Sequence, residues 1–191
     1  MILTGKEIAA QVAKGAISIS DFDEKQVNPN SYNLRLADEL MVYTSDVLDM
    51  KVANPTKTIK IPAEGYVLQP GELYLGRTFE RVGTDEFASK LDGRSSIGRL
   101  GIFTHVTAGF IDIGWDGYLT FEIQVIKPVR IYPMVKIAQI SFYVAQGDKS
   151  ITYKKAGKYY GNDGTQASMM HKDFEVTSNS WVRDESSEKK G

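Results

Sequence analysis

The chain contains no cysteine, so it has neither a disulfide framework nor a thiol nucleophile. It has only two histidines, His105 and His171. The zinc nucleobase deaminases hold their metal with one histidine and two cysteines, or with three cysteines, beside a glutamate. A chain without cysteine can build neither set, so zinc is not expected. The apolar runs are all too short to span a bilayer, and Met1–Gln11 lacks the basic region and apolar core of a secretory signal. No membrane association is therefore expected, and the expected compartment is the cytoplasm (the host's, if the chain is viral). Lysine and arginine number 23 against 24 aspartates and glutamates, a formal net charge of -1. That leaves no broad basic field for a nucleic-acid backbone, and no nucleic-acid partner is expected. Any phosphate binding must be local.

What the chain does have is 191 residues, 42% of them hydrophobic. At that length about 70% of the unfolded surface can be buried without a disulfide or a metal. Thr4 and Glu7 have capping-box spacing. Ile8, Ala9, Val12 and Ala13 form an apolar stripe, and Gly15 suits a C-terminal stop, which together predict a helix over residues 4–14 that packs on a sheet. After that the period changes to two. Short strands are expected at 40–43, 59–61, 66–68, 73–76, 102–106, 118–125, 131–132 and 137–144, between turns such as Asn54-Pro55 and Gln69-Pro70-Gly71. Many short strands with few helices predict a mainly β body, a sandwich, jelly roll or distorted barrel, with a short N-terminal helix. Residues 1–174 read as one domain. Residues 175–191 are polar with mixed charge and read as a solvated tail.

The chemistry is concentrated between Gly93 and Glu122. In Gly93-Arg94-Ser95-Ser96-Ile97-Gly98-Arg99, glycines let the backbone approach an anion, serines donate hydroxyl hydrogen bonds, and each arginine offers a planar fork to phosphate or carboxylate. Taken alone, the same heptapeptide reads more simply as a helix start, capped by Ser95, with two surface arginines. In Tyr118–Val125, alternation places Tyr118, Thr120, Glu122 and Gln124 on one face and Leu119, Phe121, Ile123 and Val125 on the other. Glu122 then faces either solvent, the common fate of a strand glutamate, or a pocket. In a pocket, desolvation would raise its pKa and make it a proton shuttle. Asp112 lies in a glycine-flanked turn, where it suits a sugar hydroxyl or a water, or simply caps the turn. Phe110 and Trp115 can stack on a base or a sugar, although core packing is the simpler role for either.

Taken together, Gly93–Gly101, His105–Asp112, Gly114-Trp115 and Glu122 resemble the dCTP deaminases of the trimeric dUTPase superfamily. Asn28–Leu36, Leu68–Glu72 and Lys158-Tyr159 followed by Gly164 resemble the outer motifs of that family, in the expected order over roughly residues 1–170. The resemblance implies a distorted β-barrel or jelly roll of the dUTPase type, assembled as a homotrimer with nucleotide sites at subunit interfaces. It implies zinc-free deamination of dCTP, with dUTP as product or substrate and dTTP as an inhibitor of family members. Glu122 falls on the glutamate that takes a proton from the water attacking C4. Ser95 and Arg99 fall on residues that hold that water, the base surroundings and Glu122, across an interface. The Ala108 backbone lies near the same water. Arg94 through Arg99, with Ser96, line the triphosphate region. Asp112 falls on the residue that meets the 3′-hydroxyl and, in dUTPase relatives, positions a water at the α-phosphate. Thr120 and Phe121 touch the base through their backbone, and Tyr153, Lys158 and Asn162 match the C-terminal phosphate and base contacts. Mg2+ is expected on the substrate triphosphate, with no metal site in the protein.

Within the family, the pair Gly109-Phe110 after Thr107-Ala108 resembles the type that also cleaves the triphosphate to dUMP and pyrophosphate, with Gly109 leaving room for a water near the α-phosphate. The alternatives are an enzyme that stops at dUTP, a dUTPase alone, and a non-catalytic nucleotide-sensing module. Four positions depart from the family pattern. Asn33 stands for Asp, Asn162 for Gln, and Val125 for Asn, while Met134 stands where the family has glycine after Pro133. These departures bear on base discrimination and C-terminal closure more than on the water chemistry, and a modified pyrimidine substrate is compatible with them.

Overall fold

The computed structural model describes residues 1–105 and 107–176. Helix α1 (Gly5–Ala13) forms where the capping pattern places it. Thr4 Oγ1 accepts the Glu7 N–H at 3.3 Å. The Glu7 carboxylate takes Gln11 Nε2 at 2.6 Å rather than reaching back to Thr4, so only half of the capping box closes. Ile8 is fully buried. Gly15 follows at φ 77°, a conformation that strains any residue with a Cβ, and the helix stops there.

The strands are β1 (Ser18–Ile19), β2 (Tyr32–Tyr43), β3 (Thr56–Lys60), β4 (Tyr66–Leu68), β5 (Tyr74–Thr84), β6 (Phe87–Gly93), β7 (Ile102–Phe103), β8 (Phe110–Ile111), β9 (Trp115–Val125), β10 (Val129–Ile131) and β11 (Lys136–Val144). Short helices α2 (Ser95–Gly98), α3 (Tyr153–Ala156) and α4 (His171–Val176) lie between and after them. The main sheet runs β7-β9-β5-β2-β11-β6-β8, with β1 added on β5 and β3 on β2; β10 and β4 form a separate pair. Pairing is antiparallel, and the large sheet curls into a half-barrel. Its concave side is filled by Leu34, Leu36, Leu40, Phe121, Ile123, Ile137, Ile140 and Phe142, which belong to one cluster of buried side chains. No helix among the described residues is long and apolar enough to cross a membrane. Most of the segment read as a tail, 177–191, lies outside the described residues, and Glu175 and Val176 end α4.

The longest stretches of strand that were not expected are 32–39, 77–84 and 87–93. β2 is buried on both faces for much of its length, so it lacks alternation. β5 does alternate, but its inward positions Gly76, Thr78 and Glu80 are not hydrophobic. Glu80 is wholly buried yet charged in character, which is tolerable only if it is paired. Its Oε1 meets Arg35 Nε at 2.6 Å, and its Oε2 accepts the Arg35 N–H at 2.9 Å. Gln26 Nε2 adds a third contact at 3.3 Å. The strand expected at 102–106 shortens to Ile102–Phe103, with Val106 outside the described residues.

Met134 carries a positive φ of 62°. Its N–H donates to the Leu36 carbonyl at 2.8 Å, which holds the turn in that shape. The family's glycine therefore has a backbone reason, and methionine is strained there. Met134→Gly is expected to raise unfolding stability by about 0.5–1 kcal/mol, the relief of left-handed strain less the entropy of a glycine. A urea midpoint that falls instead would show that the half-exposed Met134 side chain contributes more than the strain costs.

Candidate active site

Strand β9 alternates as its sequence requires. Leu119, Phe121, Ile123 and Val125 are buried, and Tyr118, Thr120 and Glu122 are half-buried on the other face. That second face is one wall of a cavity of about 470 Å³. Leu73, Leu75 and Leu91 line it from β5 and β6, the 108–112 loop from one side, and Tyr153, Tyr159, Asn162 and the 166–168 segment from the other.

Glu122 sits in this wall with its side chain 38% exposed. Its N–H donates to the Thr104 carbonyl at 3.0 Å. Its Oε2 lies 3.4 Å from Nδ1 of His105, a side chain only 10% exposed. That distance suits an ion pair, and Nδ1 has no aligned hydrogen bond among the described residues. The imidazole beside it holds the Glu122 carboxyl below the usual glutamate range; burial pushes the other way and loses. The sequence reading expected desolvation to win and raise this pKa. It does not, because that reading gave His105 no part in the site. The missed signal is one of register. Phe103 pairs with Gln124, so two residues further on His105 comes opposite Glu122.

Replacing His105 with Gln removes the imidazole and leaves the burial. The Glu122 carboxyl, followed by NMR, is then expected to titrate at higher pH than in the unsubstituted protein. An unchanged titration would show that the neighbouring imidazole does not set it. The sign for stability follows: Glu122 binds protons less readily folded than unfolded. Its contribution is therefore present above the ordinary glutamate range and is lost as pH falls through the lowered folded value.

Most other polar groups of the wall are engaged within the chain. Tyr43 OH accepts the Ser168 N–H at 2.9 Å, Thr120 Oγ1 the Gln166 N–H at 3.2 Å, and Tyr159 OH the Met169 N–H at 2.9 Å. Three hydroxyls thus clasp the C-terminal segment over the cavity. Tyr153 OH accepts the Tyr159 N–H at 3.2 Å, and its ring lies 5.5 Å from that of Trp115. Arg77 stacks on the outer face of Tyr118 at 4.4 Å. Asp112, in the turn after β8, lines the cavity with no side-chain hydrogen bond or ion pair among the described residues. No group of three or more His, Cys, Asp or Glu among the described residues could hold a metal.

One chain therefore brings together Glu122, Asp112, Ala108, Phe110, Trp115, Thr120, Tyr153 and Asn162. It does not bring Arg94, Ser95, Ser96 or Arg99 to them. Ser95, Ser96 and Arg99 are exposed on α2, and Arg94 Nη1 donates to the Lys136 carbonyl at 3.0 Å. Ser95 is not the helix cap; that position is Arg94, and no side chain caps it. Phe121 is fully buried in the core, and Lys158 pairs with Asp173 at 2.6 Å; neither lines the cavity. Gly109 does not line it either. A Cβ there would lie 2.5 Å from the Leu91 carbonyl oxygen, so close packing on β6 demands glycine. Trp115 is both core and wall, as its dual reading allowed.

One pocket of the curled sheet thus holds Glu122 and an Asp112 unengaged among the described residues. The comparisons with known proteins identify the family. The family model described as dCTP deaminase-like matches residues 2–145. A protein of Clostridium beijerinckii named "dCTP deaminase, dUMP-forming" is 54% identical over 175 residues, covering 92% of this chain and 99% of that one. One of Leptospira biflexa with the same name is 53% identical over 175 residues, again covering 92% and 99%. Among solved structures, the 2′-deoxycytidine 5′-triphosphate deaminase of Agrobacterium tumefaciens has the same fold at a TM-score of 0.61. It is 24% identical, and the match covers 75% of this chain and 48% of that one. The chain belongs to the dCTP deaminase-like family.

Proposed function

We propose that this protein deaminates dCTP and then cleaves the triphosphate, giving ammonia, dUMP and pyrophosphate. The observation that carries the reading is an ionised Glu122 in a largely apolar pocket that also holds an unengaged Asp112. The relatives named "dCTP deaminase, dUMP-forming" support it across nearly the whole chain.

In the first step Glu122 takes a proton from a water. That water's oxygen bonds to C4 of the cytosine and the proton is passed to N3; the remaining proton of the new C4 hydroxyl goes to the amine, the C4–N4 bond breaks, and ammonia leaves with N3–H and C4=O in place. In the second, Asp112 orients the 3′-hydroxyl and a second water, which attacks the α-phosphate and expels pyrophosphate. Ala108 and Thr120 present backbone groups to the water and the base, and Phe110 and Trp115 pack on the nucleoside. A single unengaged carboxylate does not make a metal cage. It suits a Mg2+ that arrives on the triphosphate and is held mainly by phosphate oxygens.

Ser95 and Arg99 act on a neighbouring copy in this reading, and Arg94 and Ser96 help to bind its triphosphate. Beside them Leu100, Phe103 and Ile126 are 59%, 48% and 62% exposed. An apolar patch next to reactive side chains that are out of reach of their own pocket supports a homotrimer with shared sites. Lys158 meets phosphate after exchanging its Asp173 partner. A cytoplasmic location and dTTP inhibition belong to the same reading.

The test is purified protein with dCTP and Mg2+, assayed for ammonia and, by chromatography, for dUTP against dUMP. Ammonia with dUMP is expected. Accumulated dUTP would leave only the first step, and conversion of dUTP with dCTP untouched would leave a dUTPase.

A further inference from the structure

We infer that Gln166, rather than Asn162, supplies the carboxamide that reads the pyrimidine edge in this chain. The inference rests on the nucleotide-binding reading above and deepens it.

Asn162 stands where the family pattern has a glutamine, and both ends of its amide already hold a partner within the chain. The residue is 6% exposed. Its Nδ2 donates to the Tyr118 carbonyl at 3.0 Å, and its Oδ1 accepts the Gly164 N–H at 2.9 Å. Its backbone packs so closely on Gly117 that a Cβ there would lie 3.1 Å from the Asn162 nitrogen. These contacts make Asn162 a turn-forming latch that ties the C-terminal segment to β9, with one hydrogen-bonding position at each end of its amide already taken.

Gln166 lines the same cavity as Asn162 but keeps its carboxamide unengaged among the described residues. Its backbone is fixed on either side: its own N–H on Thr120 Oγ1 at 3.2 Å, and the Ser168 N–H on Tyr43 OH at 2.9 Å. Its carboxamide makes no hydrogen bond among the described residues. Thr120 lies two residues from Glu122 on the same face of β9, a step of about 7 Å. Gln166 is thus anchored on the face of β9 that carries Glu122, at a residue two positions from it.

A carboxamide also suits this reaction. It presents one acceptor and a pair of donors. Cytosine offers an amino donor at N4 and an acceptor at N3. Uracil offers an acceptor at O4 and a donor at N3. Deamination therefore inverts the edge, and a half-turn of the terminal torsion, which is broad and roughly two-fold, inverts the carboxamide to match. The same residue holds the base before and after the first step, so the intermediate stays for the second.

The experiment uses the full chain carrying Glu122→Gln to block deamination, titrated calorimetrically with dCTP, with dUTP as its non-hydrolysable α,β-imido analogue, and with inorganic tripolyphosphate. Adding Gln166→Ala is expected to weaken dCTP and dUTP binding about tenfold each, the worth of one to two hydrogen bonds, with tripolyphosphate binding and the melting temperature unchanged. Asn162→Ala is expected to lower the melting temperature, since Tyr118 and Gly164 lose their partners. If Gln166→Ala itself lowers the melting temperature, Gln166→Met, which keeps the stem, gives the binding answer. A change of less than about twofold for dCTP, or an equal loss for tripolyphosphate, overturns the assignment. None of these titrations needs catalysis. A protein that binds dCTP but never turns it over refutes the proposed function and leaves this assignment standing.

Discussion

Replacing Glu122 with Gln is expected to slow ammonia release from dCTP by about 10²- to 10⁴-fold, the usual contribution of a positioned base. The amide is nearly isosteric, and the only ionic partner of Glu122 among the described residues is His105 at 3.4 Å, so the cavity keeps its shape. What disappears is the ability to accept a proton from water. In the unsubstituted protein that ability is intact at neutral pH, because the Glu122 carboxyl is held below the ordinary glutamate range, which itself lies well under neutrality. The loss therefore falls on kcat with little change in KM, as expected for a group that acts in the transition state. Cleavage of supplied dUTP is expected to continue, since Asp112 and not Glu122 serves that step. Ammonia released at a near-normal rate by the Glu122→Gln protein would remove Glu122 from the chemistry, and with it the proposed first step.

The second large effect is a gain. Arg99→Ala alone is expected to be nearly inactive, like Glu122→Gln. The two inactive proteins, mixed in equal amounts and reassembled after dissociation, are then expected to regain activity. Arg99 is exposed on α2 and does not line its own cavity. If it serves the pocket of the next copy, a site is whole when one subunit keeps Glu122 and its neighbour keeps Arg99. Random assembly into a cyclic trimer makes about a quarter of the sites whole. Activity near that fraction, appearing only after reassembly, is the expected reading. Mixtures that stay silent would place Arg99 and Glu122 in service of separate sites or of none.

The legible and illegible parts of this molecule divide by the range of the interactions concerned. The α1 boundary was legible, since Thr4 and Gly15 act on groups within a few residues. So was β9, because alternation is a property of one strand. β5 and β6 were not. The inward Thr78 and Glu80 look like surface residues until Arg35, 45 positions away on the neighbouring strand β2, is seen beside Glu80. Ser95 through Arg99 could be read as reactive chemistry or as an ordinary helix start, and a single chain leaves them exposed because their proposed target is on another copy. Gly109 was read as making room for water, while the structure supplies a packing reason on Leu91.

The amino-acid order by itself determined the β character, the lack of cysteine ligands and the run of residues that marks the family, because composition, period and motif are carried along a single stretch of chain. Only the tertiary structure decided how the site is tuned. It set His105 against Glu122 and so lowered a pKa that burial alone would have raised. It also engaged Asn162 in a turn while leaving the Gln166 carboxamide at the cavity wall. Both outcomes depend on strand register and on where the C-terminal segment crosses β9, and register is fixed by contacts between residues far apart in the chain.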